Sequence, residues 1–554
     1  MRPEFAKLLF TNAELFIRRL PRHWMREFIP VQAEFCNVGE AVPWSDREKG
    51  DFLPIAEGGV YGTNWEYAWF HITANIPEHL RNVPLALRLN LNGEVLIFDS
   101  FGIPYFSLTD KSVFDRTYIK EWFDIPADWI KEGRLDIWVE ACASSYLGMN
   151  LDREPRENSP HPRGNWCGMV NVMQLGVIDN DVRKLYFDAE VIMSLLYALP
   201  ETDFRRPKWL RAFNDAIEIY REDPANAIEA AKALEEVLNF RASGGTLTAV
   251  AIGNAHLDLA WLWRTKESIR KSARTFASQL RNIENYKGYV FGASQAIHYQ
   301  MVKENYPGLY NQIKEKIAEG SWEILGGVWV EADCNIPSGE SLIRQFLHGK
   351  NFFKDEFGFE SNLLWQPDVF GYSASMPQIL LGCGCKYFLS QKISWSLFNK
   401  FPFNTFIWRG IDGSEVLTHF PPEDTYNSEM LPQSSLCYGQ NNFAEKDIIN
   451  EYICAFGIGD GGGGPAEGHL ERAVRCADLD GVPRVKFGRV DQFFERMEKY
   501  RDKLDVWANE LYLELHQGTL TTHADIKKQN RHCEEMLTVT EALAVAAGVD
   551  DYPV

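Results

Sequence analysis

The chain has 554 residues, 45% of them hydrophobic and 24% charged, with a formal net charge of −20. That length leaves room for three or four domains with large buried cores. So acidic a balance, without any long Lys/Arg block, excludes non-specific nucleic-acid binding and docking on an anionic membrane surface.

The opening stretch, MRPEFAKLLFTNAELFIRRL, carries charges throughout and lacks the uninterrupted apolar segment of a signal peptide. No apolar run reaches the ~18 residues that a spanning helix needs. Ten cysteines in so long a chain do not make a disulfide framework, and Cys383 and Cys385 in GCGC stand too close for CxxC chemistry. The expectation is reduced thiols and a cytoplasmic protein.

Residues from about 50 to 187 read as short strands. PLALRLNL, EVLIFDS and RLDIWVEA are apolar or alternating runs separated by turns, which predicts a β-sandwich. AEVIMSLLYAL and NAIEAAKALEEVLNF then switch to helical period and form a linking segment. From 246 strand-like and helical runs alternate: TLTAVAIG, ESIRKSARTFASQLRNI, GYVFGAS, YNQIKEKIAEG, SWEILGG and GESLIRQFLHGKNFFKDEF. NLLWQPD, KYFLSQ and VPRVKFG continue the series. Such alternation predicts an α/β unit on a parallel sheet, open or closed into a barrel. The tail TTHADIKKQNRHCEEMLTVTEALAVAAGV reads as the start of a helical domain. The expected division is 1–187 for the sandwich with its leading segment, 188–245 for the helical linker, 246–505 for the α/β unit and 506–554 for the helical start.

Chemistry concentrates where strands end. In LTAVAIGNAHLDLAWLWRTKE an apolar run closes on His256 and Asp258. In extended chain, residues i and i+2 point the same way, so the pair converges on one ion or, alternatively, caps a turn and the next helix. In NLLWQPDVFGYSASMPQILLG another apolar strand ends at Asp368, again ahead of a helix. Two acidic strand ends, each beside Trp, favour a shared cation, which zinc chemistry would accept from an imidazole and carboxylates. Asp460 heads the glycine-rich loop FGIGDGGGGP, where backbone can approach a ligand closely, or it is a solvated acid in a flexible turn. The loop lacks the Lys-Ser/Thr of a phosphate cradle.

AHLDLAWLW, GGVWVEADCNIPSGESLIRQ, WQPDVFGYSASMPQIL, FGIGDGGGGP and LELHQGTLTTHADIKKQNR occur in that order. Together, and with GTNWEYAW near the N-terminus, they resemble the cytosolic/vacuolar branch of the family 38 α-mannosidases over most of the chain. The resemblance implies a seven-stranded (β/α) barrel after the β-sandwich, and a zinc-dependent retaining hydrolase of terminal α-mannose. It implies His256, Asp258 and Asp368 as zinc ligands, with Asp368 also the nucleophile, Asp460 the candidate acid/base and Trp261 stacked on the sugar. Cobalt could occupy the same ligands.

Lys392 is expected near the nucleophile, where its charge would favour the carboxylate, or is a surface lysine. Glu331 and Asp333 line the pocket or form a polar loop edge, and His516 serves the pocket or a helix entry. The family's fourth ligand, a His in a Phe-His-Asp segment, is expected beyond Val554, and no such triplet occurs in the sequence. The expectation is therefore a shortened chain that binds zinc more weakly, with the activity belonging to the full protein. His516, His523 and His532 are the histidines that could substitute. The substrate class is an oligosaccharide or other mannoside, and the family's frequent dimers and tetramers leave a homo-oligomer open. Two other readings stand beside this one. A zinc-dependent polysaccharide deacetylase would form no glycosyl-enzyme. A non-catalytic carbohydrate-binding protein would keep its sugar affinity without metal.

Overall fold

The computed structural model describes residues 3–110, 119–144 and 167–549. A leading helix, Pro3–Arg19, precedes two antiparallel sheets. One orders Met25–Ile29, Val172–Ile178, Leu85–Asn90 and Trp122–Asp124; the other orders Leu53–Pro54, Val31–Gly39, Tyr67–Asn75, Arg134–Cys142, Glu94–Phe98 and Pro104–Thr109. The strand period of two explains why the central strands look apolar throughout. Phe70, Ile72, Val95 and Ile97 enter the core between the sheets. Their neighbours Trp69, Leu96 and Phe98 enter the larger core shared with the helices. Both faces are covered, so alternation is lost from the sequence. The expected β-sandwich is present.

Helices Asn180–Ala198, Arg206–Tyr220 and Ala227–Leu238 lead into the α/β unit, the first capped by Asp179, which accepts from the Val182 N–H at 3.1 Å. The parallel strands of that unit include β1 (Thr248–Asn254), β2 (Phe291–Ala293), β3 (Trp322–Ile324), β4 (Leu363–Trp365), β5 (Tyr387–Leu389), β6 (Glu415–His419) and β7 (Glu451–Phe456).

They do not close into the expected barrel. β3, β2, β1 and β7 form one sheet, with Arg484–Phe487 also against β1. β4, β5 and β6 form another, extended by the antiparallel strand Thr405–Arg409 and then Val506–Ala508. Among the described residues, no strand ladder joins β3 to β4 or β6 to β7. The second gap is spanned by a side chain: His419, wholly buried, accepts from the Ile453 N–H at 3.1 Å through Nε2 and pairs with Thr405 Oγ1 at 2.9 Å through Nδ1. Four of the strands are only three residues long, which leaves few ladder bonds to seal a cylinder.

The strand Val506–Ala508 lies just past the expected boundary at 505, yet it pairs inside the second sheet. Helix Ala524–Ala547 runs beyond it with no buried residue. All ten cysteines are free thiols. No helix among the described residues is long and apolar enough to cross a membrane.

Candidate active site

Each of the seven strands delivers a polar side chain just past its C-terminal end: His256 after β1, Ser294 after β2, Glu331 after β3, Asp368 after β4, Lys392 after β5, Tyr426 after β6 and Asp460 after β7. This is the end at which parallel sheets bind their ligands.

His256 is buried, and its Nε2 lies 3.5 Å from a carboxylate oxygen of Asp258 and 3.6 Å from one of Asp368. Ligand atoms of these three residues all fall within 4.8 Å of one another, and no other His, Cys, Asp or Glu of the described residues joins them. His523 and His532 are exposed on the last helical segment. The helix-cap alternative fails for both acids, because helix Thr265–Asn285 has Arg264 at its N-cap and helix Met376–Gly382 has Ser375. Neither ring nitrogen of His256 completes a hydrogen bond. A buried imidazole left in that state beside two carboxylates is costly unless a cation sits among them. One imidazole nitrogen and two carboxylate oxygens are donors that zinc accepts, so the residues fit such an ion. Burial disfavours a charge on His256, but Glu331 and Asp258 outweigh it and hold the ring's pKa above the ordinary range.

Lys392 is buried and forms an ion pair with Asp368, its ammonium 3.8 Å above the Trp395 ring. The surface-lysine alternative is thereby excluded. Asp460 is buried too, so the solvated-turn alternative falls as well. Burial is the chief force that pushes its carboxyl up to about 6; His256 pulls the other way, and Asp368 and Asp258 reinforce the rise. Tyr426, which sequence reasoning missed, donates its hydroxyl to Asp460 Oδ1 at 2.7 Å and packs edge-on against His256. Its phenol is held well above the ordinary range by burial, then by Asp368 and Asp460.

Asp460 adopts φ +60°, a left-handed conformation uncommon for a residue with a side chain. Its carbonyl accepts from the Asp258 N–H at 2.9 Å, and Leu257 and Gly461 bridge alongside. The rest of the loop is held from helix Thr265–Asn285: the Gly463 N–H donates to Thr275 Oγ1 at 2.8 Å, and Gln279 Nε2 donates to the Gly463 carbonyl at 2.8 Å. At Gly462, with φ +83°, a Cβ would come 2.5 Å from Thr275 Oγ1, so only glycine fits there. The helix is bound on its other side to the N-terminal sheets. Glu94 accepts from Lys271 at 2.7 Å and from Arg274 at 2.9 Å, Arg274 also reaches Glu267 at 2.7 Å, and Ser107 pairs with Ser278 at 2.8 Å.

The remaining expected residues are more dispersed. Trp261 is 49% exposed, its ring 6.2 Å from that of Trp263. His516 is at the N-cap position of the short helix Gln517–Leu520 and lies against Phe370, with ring centroids 4.7 Å apart. Partial burial, then Lys392, lowers its pKa, while Asp368 raises it, so His516 is at a helix entry within electrostatic range of Lys392 and Asp368. Asp333 is exposed, its Oδ1 taken by the Asn335 and Ile336 N–H groups at 2.7 and 3.0 Å. Glu331 is set beneath the imidazole, with Oε2 3.0 Å from His256 Nδ1.

Residues 246–510 match the model for the glycosyl hydrolases family 38 N-terminal domain, and residues 27–165 match that for the alpha-mannosidase jelly roll domain. Alpha-mannosidase 2C1 of Homo sapiens is 37% identical over 513 residues, which cover 92% of this chain and 48% of that protein. An alpha-mannosidase of Saccharomyces cerevisiae is 30% identical over 531 residues, 91% of this chain and 48% of the other. A solved alpha-mannosidase from Enterococcus faecalis V583 aligns with a TM-score of 0.42 and 16% identity, covering 48% of this chain and 31% of that one. The chain spans about half the length of the curated relatives it matches. With its strand-end site lying inside the first matched segment, the chain belongs to glycosyl hydrolases family 38.

Proposed function

We propose that this chain carries the catalytic unit of a zinc-dependent retaining α-mannosidase that removes terminal α-linked mannose from oligosaccharides. One observation carries the reading: His256 Nε2, buried and without a hydrogen bond, faces the carboxylates of Asp258 and Asp368 at 3.5 and 3.6 Å. His256, Asp258 and Asp368 would hold the ion. When bound, zinc, or cobalt in its place, would supply Lewis-acid affinity for neighbouring cis hydroxyls, the feature that distinguishes mannose from glucose.

Asp368 acts as the nucleophile. One of its oxygens bonds to the anomeric carbon as the glycosidic C–O bond breaks. Asp460, whose raised carboxyl carries a proton more readily than an ordinary aspartate, gives it to the leaving oxygen. In the second step Asp460 takes a proton from water, whose oxygen displaces Asp368 and restores the original configuration. Lys392 fixes the nucleophile's carboxylate through their ion pair, and Tyr426 orients Asp460 through its hydroxyl. Trp261 offers an exposed indole face for the sugar ring. His516 borders the same pocket.

The strands β1 to β7 of the two sheets are read as one seven-stranded barrel with two open seams, between the sandwich of residues 1–187 with its linker and the helical start after 505. The resemblance of its motifs to the cytosolic/vacuolar branch supports a cytoplasmic enzyme, with a homo-oligomer compatible with it.

The test uses the intact protein on an aryl α-mannoside. Chelation should abolish turnover, and zinc should restore it. A slow fluorinated mannosyl substrate should leave a sugar on Asp368, detectable by mass spectrometry. An Asp368→Asn variant with undiminished turnover would overturn the nucleophile, and an adduct-free enzyme that releases acetate from an acetylated sugar would favour the deacetylase.

A further inference from the structure

Glu331 is placed in a way that sugar binding does not explain. Its side chain is 3% exposed, and among the described residues its ion-pair partner is His256. One oxygen, Oε1, accepts from Ser294 Oγ at 2.7 Å; the other, Oε2, lies 3.0 Å from His256 Nδ1, short of the alignment of a full hydrogen bond. The loop that carries Glu331 is tied to the loop that carries His256: the Glu331 N–H donates to Gln295 Oε1 at 3.2 Å, and Gln295 Nε2 donates to the Leu257 carbonyl at 2.8 Å. Ser294 and Gln295 leave β2, Glu331 leaves β3 and His256 leaves β1, so three adjacent strand ends converge on one imidazole.

An isolated buried carboxylate is expensive, and the structure gives this one no lysine or arginine among the described residues. What it does have is the far nitrogen of a ring whose near nitrogen faces Asp258 and Asp368. A carboxylate on Nδ1 keeps the proton there and leaves the Nε2 lone pair free for a cation, while fixing the plane of the ring.

We propose that Glu331, itself held by Ser294, is a positioning residue that sets the tautomer and orientation of His256 as a metal ligand, and is not a sugar contact. The inference rests on the proposed zinc site. It also divides the two acids of the EAD segment: Glu331 faces the imidazole of His256, while Asp333 ties its own loop.

The test measures zinc affinity of the intact protein by chelator competition at fixed pH, for wild type, Glu331→Gln, Glu331→Leu and Ser294→Ala. Glu331→Leu should weaken zinc binding roughly 10–100-fold. Glu331→Gln keeps an acceptor and the same shape but loses the charge, so its loss should be smaller, and that of Ser294→Ala smaller still. The visible spectrum of the Co²⁺-loaded protein should shift in Glu331→Gln, because the ligand's orientation changes. KM for an aryl mannoside, measured on zinc-saturated variants, should stay at the wild-type value. Unchanged zinc affinity in both Glu331 variants would overturn the proposal, and so would a raised KM at unchanged zinc affinity, which marks a sugar contact. If the wild-type protein binds no zinc, the metal reading fails and takes this one with it. If it does bind zinc and the variants match it, this inference alone is wrong.

Discussion

The backbone N–H of Asp258 donates to the carbonyl of Asp460 over 2.9 Å. A proposed metal ligand and the proposed proton donor are therefore joined through the main chain, although one follows β1 and the other β7. The bond fixes the backbone of the left-handed Asp460 and presents its carboxyl to Tyr426.

That geometry has a pH signature. Asp460 must be protonated to act as the acid, and its carboxyl is raised to about 6 by burial. The alkaline limb of kcat/KM should therefore fall through that region, displaced to lower pH by a bound cation. The Tyr426 hydroxyl favours the charged carboxylate, so Tyr426→Phe should move the limb to higher pH, by up to about one unit, and lower kcat/KM roughly tenfold. Full pH–rate profiles of the two zinc-loaded proteins check this, and an unmoved limb counts against Asp460 as the acid.

Lys392 makes its prediction through charge. Its ammonium is paired with Asp368 and lies over Trp395. Replacing it by methionine keeps the length and removes the partner of the nucleophile. The expected loss in kcat is on the order of 10²-fold, with an unchanged circular dichroism spectrum. A change confined to KM would make it a binding group only.

Glu94 tests the joint between the N-terminal sheets and the catalytic helix. Lys271 and Arg274 both donate to it, and all three are buried. Glu94→Ala removes a carboxylate shared by two buried cations, of which Arg274 keeps Glu267, so urea unfolding should show a loss of about 3–5 kcal/mol. A loss below about 1 kcal/mol would mean that water reaches the pair.

Buried histidines set the acid limit of stability. His419 and His469 are both lowered to about 3, chiefly by burial. Unfolded, each takes a proton near 6.5, whereas the folded protein refuses it down to about 3. Their contribution is complete above 6.5 and is lost as pH falls through the window below it, at about 1.4 kcal/mol per pH unit for each ring. His419→Leu should make that slope shallower by one ring's share. At neutral pH it should cost about 1–3 kcal/mol, because the Ile453 N–H loses its acceptor. Stability curves between pH 4 and 7 would reveal both effects.

How much of the site is legible in the sequence depends on range. β1 and β4 are legible because each is an apolar run that stops at a histidine or an acid, a local pattern. Tyr426 is not, since it reaches Asp460 from a Pro-rich turn after a hairpin, and nothing near it in sequence marks the contact. Lys392 and Glu331 stand out in the sequence, yet each keeps two meanings there. Whether a charged side chain is buried is decided by partners on other strands, Asp368 for one and His256 for the other. Barrel closure is not legible in the sequence: the alternating pattern predicts parallel strands, open or closed, and the seams depend on ladder bonds that three-residue strands scarcely supply.

Helix Thr265–Asn285 has charges locked into the N-terminal layers on one flank and grips the glycine loop on the other. The sandwich is in this sense part of the machinery rather than cargo. A protein shortened from its front would lose the rigidity of its proton donor first, with every proposed metal ligand still in place.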